Sequence, residues 1–140
     1  MFKKFKLYTD GGARGNPGPA GIGAVLKDGH SKIIAEISEY IGESTNNQAE
    51  YKALIAGLEK IKELGADEVE CFLDSELVVK QMRREYRVKE KDLAGLFTKV
   101  WDLSLGFKKI SFSHVMRQYN QEADKLVNKA IDSFNKTTKQ

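Results

Sequence analysis

The sequence predicts one α/β domain built around a mixed sheet, and three observations support that prediction. The chain has 140 residues, enough for one domain with a real core but too few for two of ordinary size. Apolar residues alternate with polar ones early in the chain, as in half-buried strands, and fall at helical spacing from residue 45 onward. Strand-like and helix-like segments then follow one another to the end, an order typical of a sheet flanked by helices.

Composition and charge narrow the classes of protein that fit. Hydrophobic residues make up 41% and charged residues 31%, a balance that excludes disorder over most of the chain. The net charge of +3 is compatible with a polyanionic partner without requiring one. The single cysteine, Cys71, lies in an apolar run, so we expect a buried thiol in a reducing compartment. The sequence has no secretion signal and no run of ~20 apolar residues, so we expect a cytoplasmic protein that makes no membrane contact. Nothing in the sequence suggests a larger assembly, so we expect a monomer.

The early segments predict an antiparallel meander. Residues 5–10 alternate like a strand that ends at Asp10, before Gly11-Gly12, and residues 15–19 form a turn rich in glycine and proline. Strand-like segments at 21–27 and 32–41 follow. Consecutive strands joined by short turns pair antiparallel.

The later segments predict helices and further strands. The clearest helix begins near Thr45 and closes at Gly65, because its apolar residues recur at helical spacing. That helix is the right size for a parallel crossover, so the fourth strand is expected to pair with the first. The remaining predictions are a strand at 69–73, helices at 75–82 and 92–105, a strand at 110–115, a helix at 120–134 and a frayed tail after about residue 135.

Two aspartates, Asp10 and Asp74, each end a predicted strand at the carboxyl edge of the sheet, where open α/β sheets place ligands. If their strands are neighbours, the two residues lie about one strand spacing apart, ~4.8 Å. Each also has a purely structural explanation. Asp before Gly is a common turn, and Asp74 before Ser75 can favour the start of a helix.

Two more acids lie on helix faces that should contact the sheet. Glu50 shares the apolar face of its helix with Leu54, and an inward carboxylate needs a partner. The cap box of residues 45–48 already uses Gln48, so a functional Glu50 is favoured over a capping one. Asp124 lies on the apolar side of the last helix, although an acid near a helix start is commonplace.

The four acids are more informative together than singly. Like-charged carboxylates that converge on one edge repel each other unless they are protonated or neutralised by a cation. All-oxygen ligands favour magnesium or manganese, and the sequence offers no clustered Cys and His residues for zinc. The sequence therefore predicts a divalent-metal site.

Four motifs surround these acids in a fixed order. They are Tyr8-Thr9-Asp10-Gly11-Gly12 with Gly15-Asn16-Pro17-Gly18-Pro19, then Thr45-Asn46-Asn47-Gln48-Ala49-Glu50, then Asp74-Ser75, then Asn120-Gln121-Glu122-Ala123-Asp124. Together they resemble the type 1 ribonuclease H family, and the resemblance runs from about residue 6 to residue 134. Four ordered motifs are far more specific than any one of them.

The resemblance implies a ribonuclease H-like fold: a five-stranded mixed sheet, with a three-strand antiparallel meander plus parallel strands, flanked by helices. It implies an endoribonuclease that hydrolyses the RNA strand of RNA/DNA hybrids, with Asp10, Glu50, Asp74 and Asp124 as catalytic acids and metal ligands. Two Mg²⁺ ions, for which Mn²⁺ can substitute, would activate a water and stabilise the leaving oxygen, giving 5′-phosphate and 3′-hydroxyl ends. Two alternatives stay open: additional cleavage of double-stranded RNA, and a non-cleaving nucleic-acid-binding module.

The resemblance also implies where nucleic acid is contacted. Asn16 and Thr45 match family positions near a phosphate of the DNA strand. Family positions in the minor groove are matched by Gly11, Asn46, Asn47, Ser75 and Glu76. The 2′-hydroxyl distinguishes RNA from DNA, and short polar side chains suit contacts with it.

His114 and Arg117 compete for one auxiliary role in the resemblance. His114 precedes Asp124 by the spacing of the mobile histidine that many family members use in product release. Strand alternation places His114 with Phe112, facing the core, where a histidine is more often structural. The run 114–120 is closer to a subgroup in which a loop arginine replaces that histidine. Arg117 is therefore favoured, with His114 as the alternative.

Trp101 lies among apolar residues in the helix predicted at 92–105. A base-stacking role is one interpretation. A helical tryptophan in such company is more often part of the core, so we predict that Trp101 is buried.

Overall fold

Residues 2–138, which the computed structural model describes, form a five-stranded sheet packed against helices. The strands are β1 (Lys4–Ala13), β2 (Gly18–Lys27), β3 (Ile33–Ser44), β4 (Glu68–Leu73) and β5 (Lys109–His114). The helices are α1 (Asn46–Glu63), α2 (Glu76–Met82), α3 (Lys91–Ser104) and α4 (Gln121–Thr138), with a single 3-10 turn, Arg117–Tyr119, before α4. The strand order β3-β2-β1-β4-β5 puts β1 at the centre of the sheet.

The pairing of β1 decides where the acids meet. β1 pairs antiparallel with β2 and parallel with β4, so both the predicted meander and the predicted neighbour of the first strand are confirmed. The parallel ladder ends with Thr9 opposite Leu73. Asp10 and Asp74 are therefore the next residues of two adjacent chains.

The hairpin strands run further than predicted. β1 continues from Asp10 to Ala13, β2 begins at Gly18, and β3 reaches Ser44. The prediction that the strand breaks at Gly11-Gly12 is wrong, because the backbone of both glycines pairs with β2. Asp10 is thus held inside a strand on its β2 side, just beyond the end of the ladder with β4.

The main core lies between the sheet and α1. Leu7, Leu54, Leu58 and Cys71 are fully buried in it, so the prediction of a buried thiol is confirmed. Their removal from water is the main force that holds α1 on the sheet. The helix starts with the predicted cap box, in which Thr45 and Gln48 satisfy each other's backbone N–H groups.

Two glycines let helices approach the sheet beside the acids. A Cβ on Gly11 would lie 2.7 Å from the backbone nitrogen of Glu50, at the start of α1. A Cβ on Gly23 would collide with the carbonyl oxygen of Ala123, at the start of α4. Helix backbone therefore contacts strand backbone at both places, and this close packing brings Glu50 and Asp124 to the centre of the sheet.

The prediction that Trp101 belongs to the core is wrong. α3 buries Leu93 and Val100, and Trp101 lies beyond that face with 36% of its surface exposed. Its ring stacks on Phe97 at 6.2 Å, and the guanidinium of Arg84 lies 5.3 Å from the ring centre. The helical pattern of α3 contains more apolar residues than its contact with the core can cover.

The last helix also differs from its predicted end. α4 continues to Thr138, four residues beyond Phe134, and the ring of Phe134 stacks on Tyr40 at 3.9 Å. Residues 139–140, in the tail predicted to fray, lie outside the described residues. Between residues 2 and 138, no helix combines the length and the apolar character that crossing a bilayer requires.

Candidate active site

The four predicted acids converge at the carboxyl end of β1. Asp10, Glu50 and Asp74 each offer a carboxylate oxygen, and these oxygens lie within 4.8 Å of one another. Asp124, in the first turn of α4, lies close enough to Asp10 to raise the pKa of that carboxyl. All four line one open pocket of about 370 Å³. Residues far apart in sequence thus meet in one place because β1 is flanked by both β4 and the two helix starts.

Backbone and amide groups hold two of the carboxylates in place. The backbone N–H of Gly11 donates to Oε1 of Glu50 at 2.7 Å. The other oxygen, Oε2 of Glu50, is buried and has no hydrogen-bond partner among the described residues. Nδ2 of Asn120 donates to Oδ2 of Asp74 at 3.3 Å and to the carbonyl of Thr9 at 2.8 Å. Both acids are therefore oriented before any ligand binds.

Burial and mutual repulsion favour protonation of this cluster. Burial raises the pKa of the Asp10 carboxyl from 3.8 to about 7, interaction with the neighbouring Glu50 carboxyl lowers it, and the nearby charges of Asp74 and Asp124 raise it. Burial also raises the pKa of Glu50 well above its ordinary value, and the neighbouring carboxyl of Asp10 adds to that shift. The metal-free site therefore holds protons that a bound cation would have to displace.

The donor set fits a divalent cation with hard ligands. Its candidate ligand atoms are all carboxylate oxygens, and Glu50 also holds a buried oxygen, Oε2, that has no hydrogen-bond partner among the described residues. An unpaired buried acceptor is costly unless a hydrogen-bond donor or a cation satisfies it. Magnesium and manganese bind carboxylate oxygen by preference.

Asp10→Asn should stabilise the metal-free protein above pH 7 and change its stability little near pH 3. The pKa of Asp10, about 7 in the folded protein against an ordinary 3.8, means that the folded state retains a proton that the unfolded chain has lost. This carboxyl therefore lowers the free energy of unfolding as the pH rises from about 4 to about 7. The gain for the variant at pH 8 should be about 2 to 4 kcal/mol, measured by urea unfolding with a chelator present.

The same comparison at about pH 3 is the internal control, because below the ordinary pKa of 3.8 the carboxyl is mostly neutral in both the folded and the unfolded chain, as the amide is. An equal difference between variant and wild type at both pH values would mean that Asp10 does not bind a proton in this range.

The predicted nucleic-acid contacts divide into two groups. Gly11, Asn46, Asn47 and Ser75 line the pocket beside the acids. The other three, Asn16, Thr45 and Glu76, are not among its lining residues and make local contacts. Asn16 accepts from the backbone N–H of Asn46 at 3.0 Å, Thr45 caps α1, and Glu76 pairs with Lys80 at 2.8 Å. These contacts fix the start of α1 and the first turn of α2.

Arg117 and His114 lie in different places. Arg117, in the 3-10 turn before α4, lines the pocket with the four acids. His114 is the last residue of β5 and is exposed, so the prediction that it faces the core is wrong. Phe112 does face the core, but His114 lies beyond the part of the sheet that the helices cover.

Three residues of the site were not predicted from the sequence. Asn120 donates a hydrogen bond to Asp74, while Arg14, in the turn after β1, and Asn128, in α4, both line the pocket. Asn120 was visible only as part of the motif before Asp124. Nothing in the sequence marks Arg14 as a site residue, because a lone arginine beside a glycine-rich turn is common.

Comparisons with known proteins agree with this geometry. A family model described as reverse transcriptase-like matches residues 8–130. A bifunctional protein of Mycobacterium tuberculosis is 46% identical over 131 residues, which are 93% of this chain and 36% of that protein. The ribonuclease HI of Halobacterium salinarum is 46% identical over 125 residues, which are 89% of this chain and 63% of that protein. This chain thus spans between about a third and two thirds of the length of these relatives.

Solved structures give the same result. The crystal structure of RNase H1 from Halobacterium salinarum superposes with a TM-score of 0.91 at 44% identity, covering 93% of this chain and 98% of that one. LC11-RNase H1, isolated from compost and solved in complex with an RNA/DNA hybrid, has a TM-score of 0.88 at 48% identity, covering 92% and 97%. The fold and the acidic cluster define a ribonuclease H-like protein. More narrowly, the chain belongs to the type 1 ribonuclease H (ribonuclease HI-like) family.

Proposed function

We propose that this protein is an endoribonuclease that cuts the RNA strand of RNA/DNA hybrids at the cluster of Asp10, Glu50, Asp74 and Asp124. The observation that carries the proposal is the meeting of three carboxylates within 4.8 Å, with the fourth, Asp124, lining the same pocket. Carboxylates that converge in this way repel one another, and a module that only binds nucleic acid gains nothing from them. A metal-dependent phosphodiesterase needs them as ligands for its metal ions.

The reaction is hydrolysis of one phosphodiester bond. Water attacks the phosphorus, the bond from phosphorus to the 3′-oxygen breaks, and that oxygen takes a proton. The products carry a 5′-phosphate and a 3′-hydroxyl. Among this chain's own groups, Asn120 and the Gly11 N–H keep Asp74 and Glu50 oriented, and this prior orientation lowers the entropic part of the barrier.

The acids are proposed as ligands of Mg²⁺, with Mn²⁺ able to replace it and with two ions per site once substrate is present. When bound, such ions stabilise negative charge on phosphate oxygens and make a water molecule more acidic. The all-oxygen donor set and the orphaned Oε2 of Glu50 support this assignment.

We assign the preference for RNA/DNA hybrids over other duplexes to the polar residues that line the pocket beside the acids. Asn46, Asn47, Ser75 and the backbone of Gly11 lie beside the acids, where the minor groove of a bound duplex would face them. Such short groups can donate to or accept from 2′-hydroxyls. Asn16, Thr45 and Glu76 stay proposed contacts, because the LC11 enzyme was solved with a hybrid and this chain shares its fold.

Arg117→Ala should lower the rate of cleavage about ten- to a hundredfold, whereas His114→Ala should change it less than about threefold. Arg117 lines the pocket and can donate to a phosphate oxygen, and loss of one such charge-assisted contact has effects of this order. The measurement is kcat and KM on a hybrid for both variants. If His114→Ala lost more activity than Arg117→Ala, the two roles would have to be exchanged.

The substrate is tested with four end-labelled duplexes or strands: RNA/DNA hybrid, double-stranded RNA, single-stranded RNA and double-stranded DNA. Internal cuts in the RNA of the hybrid, with 3′-hydroxyl ends that a polymerase can extend, are the expected result. Cleavage of double-stranded RNA as well would place the protein in the subgroup with broader specificity. Binding of the hybrid without cleavage, with either metal, would leave only a binding module.

We also propose where the protein acts and in what oligomeric state. A buried, unpaired Cys71 suits a reducing cytoplasm, where disulfides are rare. We assign the activity to one domain, acting as a monomer, because all four acids and their supporting groups come from a single copy of the chain.

A further inference from the structure

Arg14 is anchored to α4 by two side chains. Its NH1 lies 2.7 Å from Oδ1 of Asp132, and its NH2 donates to Oδ1 of Asn128 at 3.3 Å. Asn128 in turn donates to the backbone carbonyl of Asp124 at 3.2 Å. A guanidinium carries five N–H groups, so these two contacts leave it able to donate to another acceptor. The side chain is 40% exposed, so solvent and ligand can reach it.

The anchored guanidinium lies beside the catalytic acids. Asn128 and Asp132 follow Asp124 by one and two helical turns, or about 6 and 12 Å at 1.5 Å per residue. Arg14 and Asn128 line the same pocket as Asp124. With an axial rise of about 3.4 Å per nucleotide, these distances correspond to about two to four nucleotides of a bound strand.

Charge makes a phosphate the natural ligand for this group. The base of the pocket is acidic, and the arginines among its described lining residues are Arg14 and Arg117. Arginine binds phosphate through parallel N–H bonds, and a carboxylate behind it fixes the plane of the fork. Asp132 supplies that carboxylate.

We propose that Arg14 binds a backbone phosphate of the RNA strand, about two to four nucleotides from the bond that is cut, and so positions the strand over the acids. This inference rests on the proposed function. The strand is assigned as RNA because Arg14 is linked through Asn128 to Asp124, one of the acids proposed to act on RNA.

A merely structural role for Arg14 is the competing explanation. The pair with Asp132 joins the β1–β2 turn to α4 and could serve only to hold them together. The chain offers a matched control, because Lys27 pairs with Glu122 at 3.0 Å and also joins β2 to α4, away from the lining of the pocket. Lys27→Ala removes a comparable link without removing a charge from the pocket.

The test is hybrid binding by Arg14→Ala, Arg14→Lys and Lys27→Ala, each made in the Asp74→Asn background so that the RNA stays intact. Arg14→Ala should weaken binding about tenfold at low salt and make the dependence of log Kd on log salt shallower by about 0.9. Arg14→Lys should recover part of the affinity, and Lys27→Ala should leave the slope unchanged. With Asp74 restored, Arg14→Ala should raise KM and change kcat less than about threefold.

The phosphate itself is located with hybrids that carry one uncharged methylphosphonate at successive positions of either strand. At one RNA position, the substitution should weaken binding by the wild-type Arg14 protein but not by Arg14→Ala. Equal effects of Arg14→Ala and Lys27→Ala, or coupling to a DNA phosphate, would overturn the assignment. If the protein with Arg14 intact neither bound nor cut a hybrid, the proposed function itself would fail; normal cleavage by Arg14→Ala would refute only this inference.

Discussion

Asp74→Asn is expected to lower the rate of hybrid cleavage at least about a thousandfold while the protein stays folded. Asp74 follows β4 directly and offers one of the three carboxylate oxygens that lie within 4.8 Å of one another. An amide has nearly the same shape but carries no charge, so it binds a divalent cation far more weakly. Loss of charge stabilisation in the transition state is among the largest single effects that one substitution can have.

Asp102→Asn is the matched control for this change. Asp102 is exposed on α3 and does not line the pocket, so its conversion to an amide should leave cleavage unchanged. Circular dichroism and the unfolding midpoint of both variants show whether the fold is kept. Substantial cleavage by a folded Asp74→Asn protein would show that Asp74 is not a ligand in the proposed metal site.

Gly11→Ala is expected to damage both stability and activity. The added Cβ would collide with the carbonyl of Ala49 and lie 2.7 Å from the nitrogen of Glu50, and both are backbone atoms that cannot rotate away. α1 must therefore move off β1, and the hydrogen bond from the Gly11 N–H to Glu50 is disturbed. We expect a loss of about 3 kcal/mol in the free energy of unfolding. Displacement of Glu50 should lower cleavage about a hundredfold in the fraction that remains folded.

Gly95→Ala separates this clash from the general effect of replacing glycine. A Cβ on Gly95, in α3, would meet no atom within 4 Å among the described residues. Alanine is the better helix former, so this variant should gain about 0.5 to 1 kcal/mol and keep full activity. Urea unfolding and the hybrid assay measure both properties. A Gly11→Ala protein as stable and active as Gly95→Ala would show that the strand–helix contact does not position Glu50.

Much of the fold follows from local pattern. The helical spacing after Thr45 and the alternation in β1 depend on neighbouring residues, so α1 and the central strand are correctly predicted. Strand ends are less predictable, since Gly11 and Gly12 are typical of turns in isolation but pair with β2 in the folded chain. The prediction that Trp101 is buried was wrong for a related reason. Helical spacing shows which residues share a face of the helix but not how much of that face the rest of the protein covers.

The candidate site likewise contains residues that could be predicted from the sequence and residues that could not. The four acids could be predicted because a carboxylate at a strand end or on an apolar helix face conflicts with its surroundings unless it has a function. Asn120 and Arg14 act through contacts with residues that are distant in sequence, Asp74 and Asp132. Such partners are fixed only by the packing of α4 on β2, where Gly23 allows close approach.

The most direct test of the proposed activity is the initial rate of RNA cleavage in an end-labelled hybrid, measured as Mg²⁺ or Mn²⁺ is titrated into chelator-treated protein. The expected result is no cleavage in chelator and a rate that rises with either metal to saturation. The cuts should be internal and confined to the RNA strand. Cleavage that persists undiminished in chelator, or its absence at every metal concentration from a folded protein that binds the hybrid, would contradict the account of Asp10, Glu50, Asp74 and Asp124 as a catalytic metal site.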